Sequence, residues 1–330
     1  MKASNEERAR AARVIDEQRS AVLLAHEHPD GDAVGSMLGF ALMLEKKGYR
    51  VQCSWPEPTR LPAKYDFLPG MMLVTEPADL LGENLVMTFD CANLERVEPF
   101  KKICSSADEL INFDHHPDNT LYGTINFVEP KAAATSEIVY LLAGELGLEL
   151  SFDTAVCLYT GIVTDTGRFQ FSNTSATTMR IASEMIEMGV NPNRVYENIY
   201  QSDSMPYLRL IGRTIENAVY QDDIGLVYST VTLSGLAQFG VRMEEAEDLI
   251  DCLRGLKQHR VAALLKELPD GRIRVSLRSR IDIDIGKIAR KLGGGGHRVA
   301  AGYTSGADRF EEVVAELRGE IFADGRDSGR

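Results

Sequence analysis

The tightest constraint on how this chain folds is a short polar turn set directly behind a run of small and aliphatic residues. Ala21-Val22-Leu23-Leu24-Ala25 reads as a strand buried on both faces, and His26-Glu27-His28-Pro29-Asp30-Gly31-Asp32 follows without a spacer. Helical spacing of Val34, Met37, Leu38, Ala41 and Leu42 begins at once behind it, so the turn is a strand-to-helix crossover. Such turns lie at the carboxyl edge of an open parallel sheet, the edge where ligands bind. An imidazole and two aspartates gathered there repel and resist desolvation unless a cation neutralises them. The turn therefore predicts half of a divalent-metal site, with the remaining ligands at the ends of later strands.

Three later stretches repeat the pattern. Leu85-Val86-Met87-Thr88-Phe89 is a strand ending on Asp90, and Asp108 to Phe113 is a strand ending on Asp114-His115-His116. A helix from Phe152 to Val163 delivers Asp165. One aspartate behind a strand is most often a helix cap. Four acid and imidazole clusters in one alternating chain are not explained that way. Strands and helices alternate through about residue 190, with a further strand at Tyr49 to Cys53, a loop from Pro56 to Pro69, Thr135-Ser136 capping a helix from Glu137 to Leu146, and an amphipathic helix from Thr174 to Met188. That alternation predicts a mostly parallel α/β sheet.

Past residue 190 the pattern changes. Asn191-Pro192 opens a helical connector to about Ala218, and residues 219–233 read as a hairpin around Asp222-Asp223-Ile224-Gly225. A helix is expected from Met243 to Leu256. Strands Arg260 to Leu268 and Arg272 to Ser279 pair around Pro269-Asp270-Gly271, a strong turn signal. A helix from Ile283 to Leu292 runs into Gly293-Gly294-Gly295-Gly296-His297. Phe310 to Phe322 closes as a helix, with Asp324 to Arg330 frayed.

Charge divides along the same line. The 330 residues carry a net charge of −13, which argues against a protein that wraps long duplex nucleic acid by electrostatics. Residues 219–330 are nearly balanced, at 17 Lys and Arg against 18 Asp and Glu, so −12 falls on residues 1–218. Within the balanced part, Arg272 to Arg298 holds eight basic residues and only Asp282 and Asp284. An acidic part able to hold cations thus precedes a part whose basic stripe can hold phosphates. No apolar stretch approaches the ~20 residues of a membrane span, and the charged Met1 to Arg13 is no signal peptide. The five scattered cysteines lack CxxC spacing, so reduced thiols and a cytoplasmic location are expected.

Taken together, His26/Asp30/Asp32, Asp90, Asp114-His115-His116 and Asp165 resemble the DHH phosphoesterase superfamily, and Gly294-Gly295-Gly296-His297 resembles its accessory DHHA1 domain. The likeness covers about residues 15–320, and length and layout look most like the NrnA-type branch. It implies a DHH catalytic domain over residues 1–190, a helical connector over 191–218 and a smaller α/β DHHA1 substrate-binding domain over 219–330. It also implies two divalent ions, with Mn²⁺ favoured and Mg²⁺, Co²⁺ or Fe²⁺ allowed by the oxygen and imidazole donors. His26, Asp30 and Asp90 would bind the first ion, and Asp32, Asp90, His115 and Asp165 the second, with Asp90 bridging. Asp114 would orient an imidazole, and His116 would face the scissile phosphate. Arg278, Ser279, Gly294, Gly295, Gly296 and His297 would hold another substrate phosphate, the glycine N–H groups forming an anion-binding concavity with the N-terminus of a following helix. Arg254 and Arg260 are weaker candidates, Arg168 is either structural or phosphate-facing, and His28 matches no fixed position.

The activity implied is hydrolysis of short oligonucleotides to mononucleotides, of 3′-phosphoadenosine 5′-phosphate to AMP, or both. The runner-up is a cyclic- or linear-dinucleotide phosphodiesterase. The competing class is a non-catalytic nucleotide or RNA binder. A homodimer is compatible with the resemblance.

Overall fold

The structure, a computed structural model, describes residues 4–56, 61, 63–280 and 283–327. The chain divides into two compact units, Met1–Ser202 and Asp203–Arg330. In the first, α1 (Asn5–Glu17) is followed by β1 (Ser20–Ala25), α2 (Gly31–Lys46), β2 (Arg50–Ser54) and β3 (Leu85–Phe89). Then come α3 (Lys101–Ser106), β4 (Glu109–Asp114), β5 (Ile125–Val128), α4 (Thr135–Ala143), α5 (Phe152–Asp165), α6 (Ala176–Glu187) and α7 (Pro192–Tyr200). All five strands are parallel, in the order β2-β1-β3-β4-β5. The order reverses between β1 and β3, and the crevice beyond such a reversal is where open parallel sheets bind ligands.

The three central strands β1, β3 and β4 each serve two cores, because successive side chains leave opposite faces. Ala21, Leu23 and Ala25 of β1, Leu85, Met87 and Phe89 of β3, and Ile111 and Phe113 of β4 enter the larger core with α2, α4 and α5. Val22, Leu24, Val86 and Leu110 enter a smaller one with Val97, Phe100 and Cys104. This double burial explains why the strands read as unbroken apolar runs. Just below the strand ends, Phe89 and Phe113 stack at 5.0 Å and Phe113 stacks on Phe127 at 5.1 Å, with Phe40 tilted against the first pair. Truncating Phe113 to alanine would cost about 3–5 kcal/mol.

Helices α2 and α5 pack closely because glycine lines their contact. A Cβ on Gly35 would lie 2.5 Å from the Cys157 carbonyl oxygen. One on Gly161 would lie 2.1 Å from Ser136 Oγ and 2.7 Å from Asp32 Oδ1. The first turn of α2 carries Asp32 and the last residue of α5 is Asp165, so this close approach brings two carboxylates together.

The second unit is a smaller mixed α/β body. It contains α8 (Met205–Glu216), β6 (Val219–Gln221), β7 (Leu226–Val231), α9 (Leu233–Phe239), β8 (Val261–Glu267), β9 (Ile273–Ser279), α10 (Ile285–Lys291), β10 (Gly295–Gly296), β11 (Ala300–Ser305) and α11 (Phe310–Asp327). Its sheet runs β10-β11-β9-β8-β7-β6, parallel only between β7 and β8. Ile285, Ile288, Val313 and Leu317 cover one face, and Leu210, Leu236, Leu249 and Leu253 cover the other.

Several local expectations change. The stretch from Asn191 to Ala218 is two helices rather than one, since Pro206 lacks the N–H needed to continue a helix and Ser204 caps a new one. Met243–Gly255 is a run of 3-10 turns that lays Ala246, Leu249, Ile250 and Leu253 against β8. Helix α4 starts at Thr135, two residues earlier than expected, and ends at Ala143. His297 lies between β10 and β11 rather than ahead of a helix, so no helix N-terminus adds donors there. The closing helix runs on through Asp327 rather than fraying after Phe322. Asp282 and residues 328–330 lie outside the described residues.

Candidate metal centre

Strand ends and helix starts of the first unit converge on Asp90. The residue sits one position past β3 with a left-handed backbone (φ 57°), and its N–H donates to the Phe113 carbonyl at 2.9 Å. Its Oδ2 lies 3.5 Å from His26 Nε2, and its Oδ1 lies 3.5 Å from His115 Nε2. Three clusters share it, one of them with Asp114 and His116. His26, Asp30 and Asp90 offer ligand atoms within 4.8 Å of one another, as do Asp32, Asp90 and His115. Asp165 joins the second cluster through Oδ2, 3.3 Å from His115 Nε2. His26, Asp32, Asp90 and His115 are buried, while Asp30 is exposed.

Local structure holds each donor. Asp30 caps α2, its Oδ1 accepting from the N–H groups of Asp32 and Ala33 at 3.0 Å each. The other oxygen is left over. Asp32 accepts from the N–H of Thr135 at 2.6 Å and of Ser136 at 2.9 Å, so it caps α4 from another helix. Thr135 Oγ1 donates to Asp90 Oδ1 at 2.9 Å. His115 Nδ1 donates to the Ala132 carbonyl at 3.2 Å, which turns Nε2 to the cluster; burial opposes charge on this ring, yet Asp165 and Asp90 raise it to about 8. His116 Nδ1 lies 2.7 Å from Asp114 Oδ1, and Asn119 Nδ2 donates to Asp114 Oδ2 at 2.6 Å.

The electrostatics show a site short of positive charge. Burial first, then the charges of Asp90 and Asp165, pushes the Asp32 carboxyl well above its ordinary range. Burial also lifts Asp165 to about 7, against the pull of His115 and with the push of Asp30 and Asp90. Asp90 is held well below the carboxylate range, because His116, His26 and His115 together outweigh its burial. Burial opposes charge on His116, yet Asp114 and Asp90 raise it to about 10. Raised carboxylates around an ionised one are a charge pattern that a divalent cation would relieve. The donor set fits such ions: carboxylate oxygens and imidazoles with one tautomer fixed.

The other expected site residues lie elsewhere or outside the clusters. His28 is exposed and belongs to none of these clusters. The Arg168 guanidinium stacks on the Tyr200 ring at 4.8 Å. In the second unit, β9–β11 pairing sets Arg278 opposite Ala300, and the Ser279 N–H donates to the Val299 carbonyl at 3.0 Å. Arg278 and Arg254 both approach Asp251, at 3.9 and 3.2 Å. Gly294 is demanded by packing, since a Cβ there would lie 2.1 Å from the Gly302 carbonyl oxygen. Gly295 and Gly296 form β10, and the His297 N–H donates to the Ala300 carbonyl at 2.8 Å. Sequence reasoning missed Asn119 and the contacts of Thr135 and Ser136 with the site. Only the Thr-Ser pair ahead of a helix hinted at them.

Comparison with known proteins agrees with this layout. Residues 20–162 match the family model described as DHH family, N-terminal domain, and residues 223–322 match the DHHA1 domain. The bifunctional oligoribonuclease and PAP phosphatase NrnA of Thermus thermophilus is 32% identical over 91% of this chain and 89% of its own length. The protein of the same name from Bacillus subtilis is 30% identical over 92% of this chain and 96% of its own. In fold, the chain matches an exopolyphosphatase-related protein from Bacteroides fragilis with a TM-score of 0.89 at 23% identity, covering 99% of each chain. The ordered donors around Asp90, the two matched segments and the relatives along nearly the whole length lead to one conclusion: the chain belongs to the DHH family, with an N-terminal DHH domain followed by a DHHA1 domain.

Proposed function

We propose that the chain is a metal-dependent phosphoesterase that hydrolyses short oligoribonucleotides to 5′-mononucleotides and 3′-phosphoadenosine 5′-phosphate to AMP. The observation that carries this is Asp90, whose two oxygens face two separate donor clusters. His26, Asp30 and Asp90 would hold one ion; Asp32, Asp90, His115 and Asp165 would hold the other. Mn²⁺ suits this mixture of oxygens and imidazoles. The names of the NrnA relatives, which span most of the chain, supply the substrate class.

A pair of divalent ions held there would supply acidified water and charge neutralisation for the phosphoryl oxygens. The chain's own residues do the rest. Asp32 keeps its place through the α4 N–H groups, which use two of its roughly four lone-pair positions and leave others for an ion. Asp114 and Asn119 fix the His116 ring, whose Nε2–H donates to the scissile phosphate or to the departing oxygen. Arg278, Ser279 and the Gly294–His297 segment bind a second phosphate, Arg278 through its planar fork. The five cysteines are all unpaired and four are buried, in keeping with the reducing cytoplasm.

The test is product analysis with Mn²⁺, using a labelled dinucleotide, a labelled pentanucleotide and 3′-phosphoadenosine 5′-phosphate at matched concentration. The proposal expects 5′-mononucleotides from both oligonucleotides and AMP from the third substrate. Stoichiometric oligonucleotide binding without metal-stimulated turnover would make the protein a binder instead.

A further inference from the structure

One nitrogen in the site has two partners that it cannot serve at once. His26 Nδ1 lies 2.7 Å from the Glu27 carbonyl oxygen, which requires a proton on Nδ1. The same Nδ1 lies 2.8 Å from an Arg96 guanidinium nitrogen, which requires a bare lone pair there. The two bonds belong to opposite tautomers of a neutral ring. With the proton on Nε2, the ring accepts from Arg96 and points an N–H at Asp90. With the proton on Nδ1, it donates to Glu27 and turns a bare Nε2 inward.

We propose that Arg96 is a substrate-phosphate ligand that His26 withholds until a divalent cation binds. This rests on the reading of His26 as a metal ligand through Nε2. A cation held at Nε2 would exclude the Nε2 proton; released to water and replaced by one from water at Nδ1, it leaves the ring neutral in the Nδ1–H tautomer. The proton on Nδ1 then donates to Glu27, and the guanidinium loses its acceptor.

The backbone holds still during that exchange. The Glu27 N–H donates to the Arg96 carbonyl at 2.9 Å, and the Arg96 N–H donates to Asn93 Oδ1 at 3.3 Å, neither through the Arg96 side chain. Arg96 is half-buried, and among the described residues its side chain bonds to His26 and to no carboxylate. The other ring nitrogen, His26 Nε2, lies 3.5 Å from Asp90 Oδ2, so a single imidazole separates the guanidinium from the carboxylate clusters. A released guanidinium one imidazole away from the carboxylate clusters has the chemistry to take a phosphate oxygen. Metal loading and substrate binding are thereby coupled through one imidazole.

The test begins with calorimetric titration of Mn²⁺ alone into chelator-treated wild type, Arg96→Met, Arg96→Lys and His26→Ala. The proposal expects Arg96→Met to bind Mn²⁺ about three- to tenfold more tightly than wild type, because the competing bond is gone. Arg96→Lys should fall between them. AMP is then titrated into Mn²⁺-loaded and metal-free protein. Arg96→Met should weaken AMP binding at least tenfold in the loaded protein and leave it unchanged in the metal-free protein. Mn²⁺ affinity that is unchanged or weaker in both Arg96 variants would overturn the proposal and leave Arg96 as a positioning residue for His26. If His26→Ala bound Mn²⁺ as well as wild type, the metal reading itself would fall, and this inference with it.

Discussion

At the scale of single residues, the site works by setting proton affinities apart. His116 is raised to about 10 while its neighbour Asp90 stays ionised, so a donor and an acceptor coexist near neutral pH. Asp114→Asn would remove the charge that holds the His116 proton. We expect a loss of about 10–100-fold in kcat, with Mn²⁺ stoichiometry unchanged, measured by steady-state kinetics beside a metal titration. Asp165 gives a second prediction, whose sign follows from its raised value of about 7 against an ordinary 3.8. The metal-free fold gains stability from the Asp165 proton below pH 4 and loses that gain as the pH rises towards 7. Cation binding must expel that proton. Apparent Mn²⁺ affinity should therefore strengthen by at least about tenfold per pH unit between pH 5 and 7 and keep rising to about pH 8, where His115 gives up its own proton, as read by calorimetry. Asp30, Asp32, Asp90, His115 and Asp165 stood out in the sequence because each ends or follows an apolar run. Asn119, Thr135 and Ser136 did not, because they act on Asp114, Asp90 and Asp32, and nothing in spacing announces such partners.

At the scale of elements, helix α4 and the contact between α2 and α5 decide whether the carboxylates meet. Gly161→Ala places a methyl group against Ser136 and Asp32, so α5 must shift. We expect a loss of about 1–3 kcal/mol in stability by thermal or urea unfolding. Mn²⁺ affinity should fall as well; an unchanged affinity would mean that Asp32 does not depend on this packing. The strands carrying the site were legible as double-sided apolar runs. β5 was not, since its four residues include Asn126, whose side chain bonds to Gly123. β11 was hidden for another reason. Ala300-Ala301-Gly302 has weak strand propensity, and pairing with β9 overrides it. The glycine run read as a phosphate cradle or an overlong cap. Gly293 does end α10 with φ 81°, whereas Gly294 answers to backbone packing and Gly295–Gly296 to an edge strand.

At the scale of the whole molecule, charge and fold divide the work. The first unit holds the carboxylate clusters, and the second holds the basic stripe around β9. Arg278→Ala should raise KM for a 5′-phosphorylated dinucleotide about 10–100-fold, the worth of a hydrogen bond to a charged group, with a smaller effect on kcat. An equal fall in kcat and kcat/KM would instead place Arg278 at the reacting phosphate. The parallel α/β first unit and the mixed second unit were both legible, because strand-helix alternation gives way to hairpin signals near residue 219.

The account depends most on Asp90 as the shared ligand of two cations, and calorimetric titration of Mn²⁺ into chelator-treated wild type and Asp90→Ala tests it directly. It predicts two ions per chain in the wild type and loss of tight binding at both positions in the variant. A wild type that binds no Mn²⁺, or a variant that still takes up two ions with undiminished affinity, would contradict it.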